Sequence, residues 1–140
     1  MKKIFFTVLL LICILATGFA KSKMPIAVTS AFNQKFPNAT NVKWDKENAH
    51  EYEAGFKVDG KSFSANYSDK GEWLETESTV EFASIPLKVQ NTFKTNHKEA
   101  KIKAAAKIET SKGETKYEVE FMNGKKTVEE MYKEDGTIIK

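Results

Sequence analysis

Apolar residues recur at helical spacing in two short segments of the chain. In the first segment they lie at Met24, Val28, Ala31, Phe32 and Phe36, and in the second at Ile85, Val89 and Phe93. A helix collects residues at this spacing on one face. The pattern therefore predicts two amphipathic helices. Pro37 is expected to end the first helix, and Ser84 with Pro86 behind it is typical of an N-cap for the second.

Each predicted helix is followed by segments in which apolar and polar residues alternate, as in half-buried strands. Tyr52, Ala54, Phe56 and Val58 alternate with polar neighbours, and Asp59 with Gly60 forms a hairpin turn before Phe63, Ala65 and Tyr67. Later in the chain the same alternation places Ile102, Ala104, Ala106 and Ile108 on one strand face. We expect about four antiparallel strands after each helix.

The two halves of the chain repeat one another. Tyr52, Phe56, Gly60, Tyr67, Gly71 and Leu74 match Tyr117, Phe121, Gly124, Tyr132, Gly136 and Ile139, at a spacing of 65 residues, or 64 at the first glycine. Upstream, Pro25 and Phe32 match Pro86 and Phe93. The prediction is an α+β fold, with residues 21–82 as the first repeat and residues 83–140 as the second, together one structural domain. Their sheets should lie side by side, with the helices on one face.

The alternation also divides the strand residues between two faces of the sheet. If Tyr52, Phe56 and Leu74 face the helices, the intervening residues point to the opposite side, here called the free face. In the first repeat this set is Glu51, Glu53, Lys57, Ser62, Ser64, Asn66, Trp73, Glu75 and Glu77. In the second repeat it is Lys101, Lys103, Lys107, Glu118, Glu120 and Met122.

An exposed tryptophan on a broad sheet is a typical anchor for a partner, so Trp73 is the leading candidate contact. The other predicted contacts are Glu51, Glu53, Lys57, Glu75, Lys101, Lys103 and Met122. The alternative is a solvated face on which lysine and glutamate side chains pair across strands. A shift of one residue in strand phase would bury Trp73 instead.

The first twenty residues have the order of a secretory signal peptide. Lys2 and Lys3 precede an apolar run of 13 residues, and Gly18 and Ala20 are small residues suited to cleavage. A helix needs about 20 apolar residues to span a bilayer, so an uncleaved anchor is the less favoured alternative. We expect a periplasmic or secreted protein with no stable membrane span after cleavage.

Composition excludes several classes of partner. Removal of residues 1–20 removes the one cysteine and two of the 22 basic residues, which leaves 20 lysines against 19 acidic residues. There is no arginine, the residue best suited to binding phosphate groups, and the mature charge is close to neutral. We therefore expect no nucleic-acid partner and no disulfide bonds.

Catalytic and metal-binding patterns are absent from the sequence. His50 and His97 lie 47 residues apart without a metal-binding spacing, and both are predicted to be ordinary surface residues. Paired carboxylates such as Glu51 and Glu53 would need a cleft to become catalytic. The sequence therefore predicts no enzyme, no catalytic residues, no metal site and no cofactor.

Several of these motifs resemble those of the PepSY-like family of exported proteins, which is similar in shape to the β-lactamase inhibitor protein. The resemblance rests on the VKW segment at residues 42–44, the Tyr-Glu-Ala segment before a glycine hairpin, and YSDKGEWL at residues 67–74. It covers residues 22–140. The resemblance implies two helix-plus-four-strand units with a concave front face that grips a protein.

Two hypotheses of function follow. The first is an exported, non-enzymatic binding module that engages a protein or peptide through the free face, with inhibition as one outcome of binding. The alternative is an envelope protein that binds a small ligand or a metal ion between the two repeats.

Overall fold

The computed structural model describes residues 24–139. The predicted signal peptide lies outside these residues. Two helices of ten residues are present, α1 at Ile26–Lys35 and α2 at Leu87–Asn96. Pro25 and Pro86 occupy their N-caps, where the missing N–H of proline costs nothing.

Ser84 does not cap α2, so that prediction was wrong. It ends a short 3-10 helix, Phe82–Ser84, and its hydroxyl donates a hydrogen bond to the carbonyl of Glu81 over 2.7 Å. The extra turn leaves Pro86, rather than Ser84, at the start of α2.

The strands form one eight-stranded antiparallel sheet in sequence order. The first repeat contributes β1 Thr40–Lys46, β2 Glu51–Val58, β3 Lys61–Ser68 and β4 Trp73–Val80. The second repeat contributes β5 Lys101–Thr110, β6 Thr115–Asn123, β7 Lys126–Lys133 and β8 Ile138–Ile139. Pairing of β4 with β5, from Glu75 opposite Thr110 to Val80 opposite Ala105, joins the two repeats. The predicted fold is confirmed, with the two sheets fused into one.

Both helices cover the same face of this sheet. Directly paired residues on antiparallel strands point to the same side. Phe63 pairs with Ser78, Ser78 with Lys107, and Lys107 with Tyr117. Phe63 packs against the core under α1, and Tyr117 belongs to the core under α2. The opposite side of the sheet is therefore the free face of both repeats.

Each repeat has its own apolar core. The first consists of Val28, Phe32, Tyr52, Ala54, Phe56, Ala65 and Tyr67. The second consists of Ile85, Val89, Phe93, Ala105, Tyr117, Val119, Phe121 and Tyr132. Matching residues of the repeat occupy matching places, which explains why the sequence repeats its large apolar positions.

Two matched glycines explain how closely the helices approach the sheet. Gly71 and Gly136 have φ angles of 84° and 86°. A Cβ atom at Gly71 would lie 2.6 Å from the carbonyl oxygen of Ala27 in α1, and one at Gly136 would lie 2.7 Å from that of Lys88 in α2. Both positions require glycine for backbone conformation and for space.

Candidate binding face

A bulge in β4 changes the residues that reach the free face. Asn66 pairs with Glu75 and Tyr67 pairs with Trp73, so Leu74 is the extra residue. A bulge of this kind reverses the direction of the side chains beyond it. Glu75 and Glu77 therefore lie on the free face, as predicted, whereas Trp73 does not.

Trp73 lies on the helix-covered face, and its predicted orientation was wrong. Its side chain packs against the first core. The Nζ atom of Lys35, in the last turn of α1, lies 3.7 Å from the centroid of its ring. The indole Nε1 donates a hydrogen bond to Thr76 Oγ1 over 2.9 Å. Trp73 therefore helps to hold α1 and has no place on the candidate binding face.

A second bulge, in β5, corrects the predicted phase of that strand. Ile102 pairs with Phe121 and Ala104 with Glu120, which leaves Lys103 as the extra residue. Beyond it, the residues predicted to face the helix, Ala104, Ala106 and Ile108, lie on the free face. Lys107, predicted on the free face, lies on the helix-covered face instead. Ile108 is nevertheless only 1% exposed, so the free face has an apolar centre.

The other seven predicted contacts all lie on the free face. Glu51, Glu53 and Lys57 alternate with the core residues of β2, and Glu75 follows the β4 bulge. Lys101 pairs with Met122, next to the core pair of Ile102 and Phe121. The Nζ atom of Lys103 lies 2.6 Å from Glu120 Oε1, which is also on this face. That these residues contact a partner stays a prediction.

The free face contains a cavity at the junction of the two repeats, here called the junction pocket. Its volume is about 270 Å³. Its lining residues are Glu51, Asn66, Leu74 and Glu75 from the first repeat, and Ile108, Lys116, Glu118 and Met131 from the second. Glu51 and Glu75 were among the predicted contacts. Leu74 and Ile108 were missed because they reach the pocket through the two bulges.

Two polar side chains are buried in the wall of the junction pocket without a hydrogen-bond partner. Glu118 is 8% exposed and Asn66 is 6% exposed. No side-chain hydrogen bond or ion pair joins either of them to another residue within 24–139. Among residues 24–139 the fully buried side-chain polar atom without a partner is the Tyr67 hydroxyl, so the polar atoms of Glu118 and Asn66 are accessible from the pocket. This arrangement is therefore suited to an external group that donates hydrogen bonds.

Burial and mutual repulsion raise the pKa values of several carboxyl groups on the free face. Burial, with smaller contributions from other glutamates, raises the pKa of Glu118 to about 8 and that of Glu77 to about 7. Burial also raises the pKa of Glu75 and of Glu129. Bringing these groups together in a partly buried site makes their ionisation costly.

The described histidines lie away from the junction pocket. His50 is exposed, and its Nδ1 lies 3.0 Å from Asp69 Oδ2. His97 was predicted to be an ordinary surface residue, but it is half-buried behind α2, with Nε2 2.9 Å from Glu130 Oε2. No group of three or more histidine, cysteine or acidic side chains suited to a metal ion occurs within residues 24–139.

Comparison with known proteins identifies the family. The family model described as "Putative beta-lactamase-inhibitor-like, PepSY-like" matches residues 16–61 and 51–140. The chain belongs to the PepSY-like family. No curated protein matches the chain.

Solved structures from Bacteroides species share the PepSY-like fold. A DUF2874 family protein from Bacteroides uniformis is 18% identical, with a TM-score of 0.74 over 83% of this chain and 86% of its own. A protein from Bacteroides eggerthii described as "putative periplasmic" is 15% identical, with a TM-score of 0.76 over 88% of each chain. A BLIP-like protein from Bacteroides fragilis is 23% identical, with a TM-score of 0.66 over 81% of this chain and 82% of its own.

At these identities the solved structures show the fold alone. Residues 24–139 include no helix long and apolar enough to cross a membrane.

Proposed function

We propose that this PepSY-like protein is an exported, non-enzymatic binding module that engages a protein or peptide through its free face. The observation that carries the proposal is the junction pocket, where the side chains of Glu118 and Asn66 are buried without hydrogen-bond partners. Their polar atoms are accessible from the pocket, so a partner that supplies hydrogen-bond donors can take the place of water there.

The family description supports a protein as the partner, because it likens these proteins to a β-lactamase inhibitor. Inhibition of the bound partner is the finer hypothesis. The absence of a catalytic pattern in the sequence supports a non-enzymatic role. In this proposal the role of the carboxylates on the free face is recognition rather than catalysis.

Export to the periplasm or beyond is the second element of the proposal. Its support is the signal-peptide pattern of residues 1–20 and the periplasmic description of the Bacteroides eggerthii relative. The intact mass of the protein recovered from host envelope fractions should correspond to a chain that begins near Lys21. Recovery of the full precursor in the membrane fraction would contradict export in soluble form.

Site-specific photocrosslinking in the host tests the binding face. A photoreactive amino acid at Glu53, beside the junction pocket on the free face, should give one predominant crosslinked product with a host protein. The matched control is the same group at Leu87, which is 72% exposed on the helix side. Excess unlabelled wild-type protein should compete for the product. Equal products from both positions, or none from Glu53, would contradict the proposal.

A small ligand is the second candidate, because the junction pocket is lined by both repeats. The absence of a metal-binding group within residues 24–139 favours an organic ligand over a metal ion in this candidate. Native mass spectrometry of protein purified from its host would give a bound mass in that case. An apo mass together with a competed crosslink at Glu53 would favour the protein partner.

A further inference from the structure

The junction pocket carries more negative charge than its own cation balances. Its lining includes the carboxylates of Glu51, Glu75 and Glu118 and the single ammonium group of Lys116. Lys116 lowers the pKa of Glu75, and its Nζ lies 3.8 Å from Glu114 Oε2. No cation is among the groups that affect the pKa of Glu118. No lysine among the described residues therefore neutralises Glu118 in its ionised form.

The surrounding free face shows the same imbalance. Around the pocket lie the carboxylates of Glu53, Glu77, Glu120 and Glu129. On this face Lys103 already pairs with Glu120 over 2.6 Å. Of the other lysines of this face, Lys43 lies on the edge strand β1 opposite Gly55, and Lys57, Lys101 and Lys133 lie close to strand ends. The centre of the face thus favours a cationic guest.

Acidic side chains alone would not define a site, but the buried wall of the pocket adds independent evidence. Glu118 and Asn66 are each more than nine-tenths buried, and both line the cavity. Neither receives a hydrogen bond from residues 24–139. Carboxylate and amide oxygens in one pocket can each accept hydrogen bonds from a cationic guest.

The shape of the pocket suits one long side chain. The apolar residues of its lining are Leu74, Ile108 and Met131. The volume of about 270 Å³ is modest for a ligand pocket and leaves room for one long side chain. Lysine and arginine combine an aliphatic stem, which packs on apolar surface, with a charged end group.

We propose that the junction pocket binds a lysine or arginine side chain of the protein partner. The aliphatic stem packs on Leu74, Ile108 and Met131, and the cationic group is bound by the carboxylates of Glu118 and Glu75. This inference rests on the proposed function, since the side chain belongs to the protein that the free face engages.

The electrostatics of the empty pocket predict a pH dependence of this binding. Burial and the neighbouring glutamates raise the pKa of Glu118 to about 8. A cation at the carboxylate favours its ionised form, so occupation of the pocket should lower this pKa. Below about pH 8 a cationic guest must therefore displace the proton of Glu118, so affinity for a basic side chain should rise as the pH approaches 8.

Methyl NMR of the whole mature protein tests the inference directly. The methyl groups of Leu74, Ile108 and Met131 are reporters in the pocket, and those of Ile26 and Leu87 are distant controls. The probes are acetyl-Gly-Arg-Gly-amide and acetyl-Gly-Lys-Gly-amide, and the neutral control is the citrulline peptide. The titration is run near pH 8.5, above the pKa of about 8 for Glu118. We expect saturable shifts of the pocket reporters with at least one basic peptide.

The charge requirement is tested by amide substitutions of similar shape. Affinity for the basic peptide should fall at least about tenfold in Glu118→Gln. In the wild type, the citrulline peptide should bind about tenfold more weakly than the arginine peptide. Glu75→Gln is the second pocket variant and should also weaken binding. Glu109→Gln, on the helix-covered face beside Lys107, is the matched control and should leave affinity unchanged.

The outcomes separate this inference from the proposed function. Equal binding of arginine and citrulline peptides, or no shift of the pocket reporters, overturns the inference, whereas a competed crosslink at Glu53 would still support the proposed function. If the wild type binds the basic peptide but the Glu53 crosslink persists in Glu118→Gln, the inference is also overturned. The pocket would then play no part in binding the partner. Loss of both peptide binding and crosslink in Glu118→Gln, but not in Glu109→Gln, is the expected result.

Discussion

The two repeats share one backbone framework but differ in the side chains that pack at the ends of their helices. At the C-cap of α1 stands Phe36, whose ring lies 4.6 Å from that of Phe56. At the C-cap of α2 stands His97, whose ring lies 4.4 Å from that of Phe121. The same position is therefore filled by an apolar ring in the first repeat and by a polar ring in the second.

The difference extends to the buried tyrosines. In the second repeat, Glu130 accepts hydrogen bonds from the hydroxyl of Tyr132 and lies 2.9 Å from His97 Nε2. At the positions that match by the 65-residue spacing, the first repeat has Ala65 and Tyr67. The buried hydroxyl of Tyr67 has no hydrogen-bond partner among residues 24–139. The duplication thus keeps the large side chains that a core needs, while the polar network is specific to one copy.

The largest expected effect comes from the phenylalanines that both repeats share. Phe32 and Phe93 are 2% and 1% exposed, and each lies at the centre of its core. Phe32 packs against more aromatic rings than Phe93 does, and one of them is the ring of Trp44, whose centroid lies 5.2 Å away. We expect Phe32→Ala to lower the free energy of unfolding by about 4 kcal/mol and Phe93→Ala by about 3 kcal/mol. Urea denaturation followed by circular dichroism measures both.

That experiment also tests whether the repeats unfold together. Because β4 and β5 pair along six residue pairs, each variant should still show a single transition. Two separate transitions in either variant would show that the repeats are independent folding units, which would contradict the single structural domain predicted from the sequence.

The next effect is a pH dependence centred on Glu118 of the second repeat. The pKa of Glu118 is raised from 4.5 to about 8, chiefly by burial, with contributions from Glu77, Glu129, Glu120 and Glu75. Between pH 4.5 and about pH 8, Glu118 is ionised in the unfolded chain and protonated in the folded protein. Its stabilising contribution is therefore complete below about pH 4.5 and is lost as pH rises towards 8.

We expect the free energy of unfolding to fall by on the order of 3 kcal/mol between about pH 5 and pH 8 through Glu118 and its neighbours. Glu118→Gln should flatten this profile. Its matched residue in the first repeat is Glu53, which is more exposed, so Glu53→Gln should change the profile less. Urea denaturation at a series of pH values measures the slopes, and an unchanged slope in Glu118→Gln would contradict the assignment.

A smaller effect distinguishes Trp73 from its match in the second repeat, Ile138. Both pack on the helix-covered face, Trp73 against the first core and Ile138 against the second. Because Trp73 is half-buried and larger, Trp73→Ala should cost about 2 kcal/mol of unfolding free energy and Ile138→Ala about 1 kcal/mol. Crosslinking from Glu53 should be unchanged in both folded variants. A loss of the crosslink in Trp73→Ala without loss of stability would place Trp73 in the binding site after all.

The placement of Trp73 shows what the sequence can and cannot predict. The repeat, the helices and the alternation of β2 were read correctly because each is a local pattern with a fixed period. The bulges at Leu74 and Lys103 leave no comparable pattern, since a bulge is set by pairing with a neighbouring strand. The junction pocket depends on both bulges, and for that reason its apolar lining was not predicted.

One signal in the sequence could have corrected the phase of β4. Trp73 and Leu74 match Ile138 and Ile139, so both positions are apolar in both repeats. Two adjacent apolar residues at the start of a strand break simple alternation, and one of them must reach each face. The network of His97 and Glu130 could not be predicted in this way, because these residues are 33 positions apart and their contact depends on the tertiary packing of α2.

The smallest effect tests the two tyrosine hydroxyls against each other. Tyr132→Phe removes a donor to the carboxylate of Glu130 and should lower the free energy of unfolding by about 1.5 kcal/mol. Tyr67→Phe removes a hydroxyl that is buried without a partner, so stability should stay unchanged or rise by up to about 1 kcal/mol. Both substitutions keep the ring, so the difference in urea denaturation isolates the hydroxyl. An equal loss in the two variants would mean that Tyr67 has a hydrogen-bond partner such as a buried water. A loss confined to Tyr132→Phe would show that the polar network stabilises the second repeat. In the first repeat, Tyr67 would then contribute through the packing of its ring.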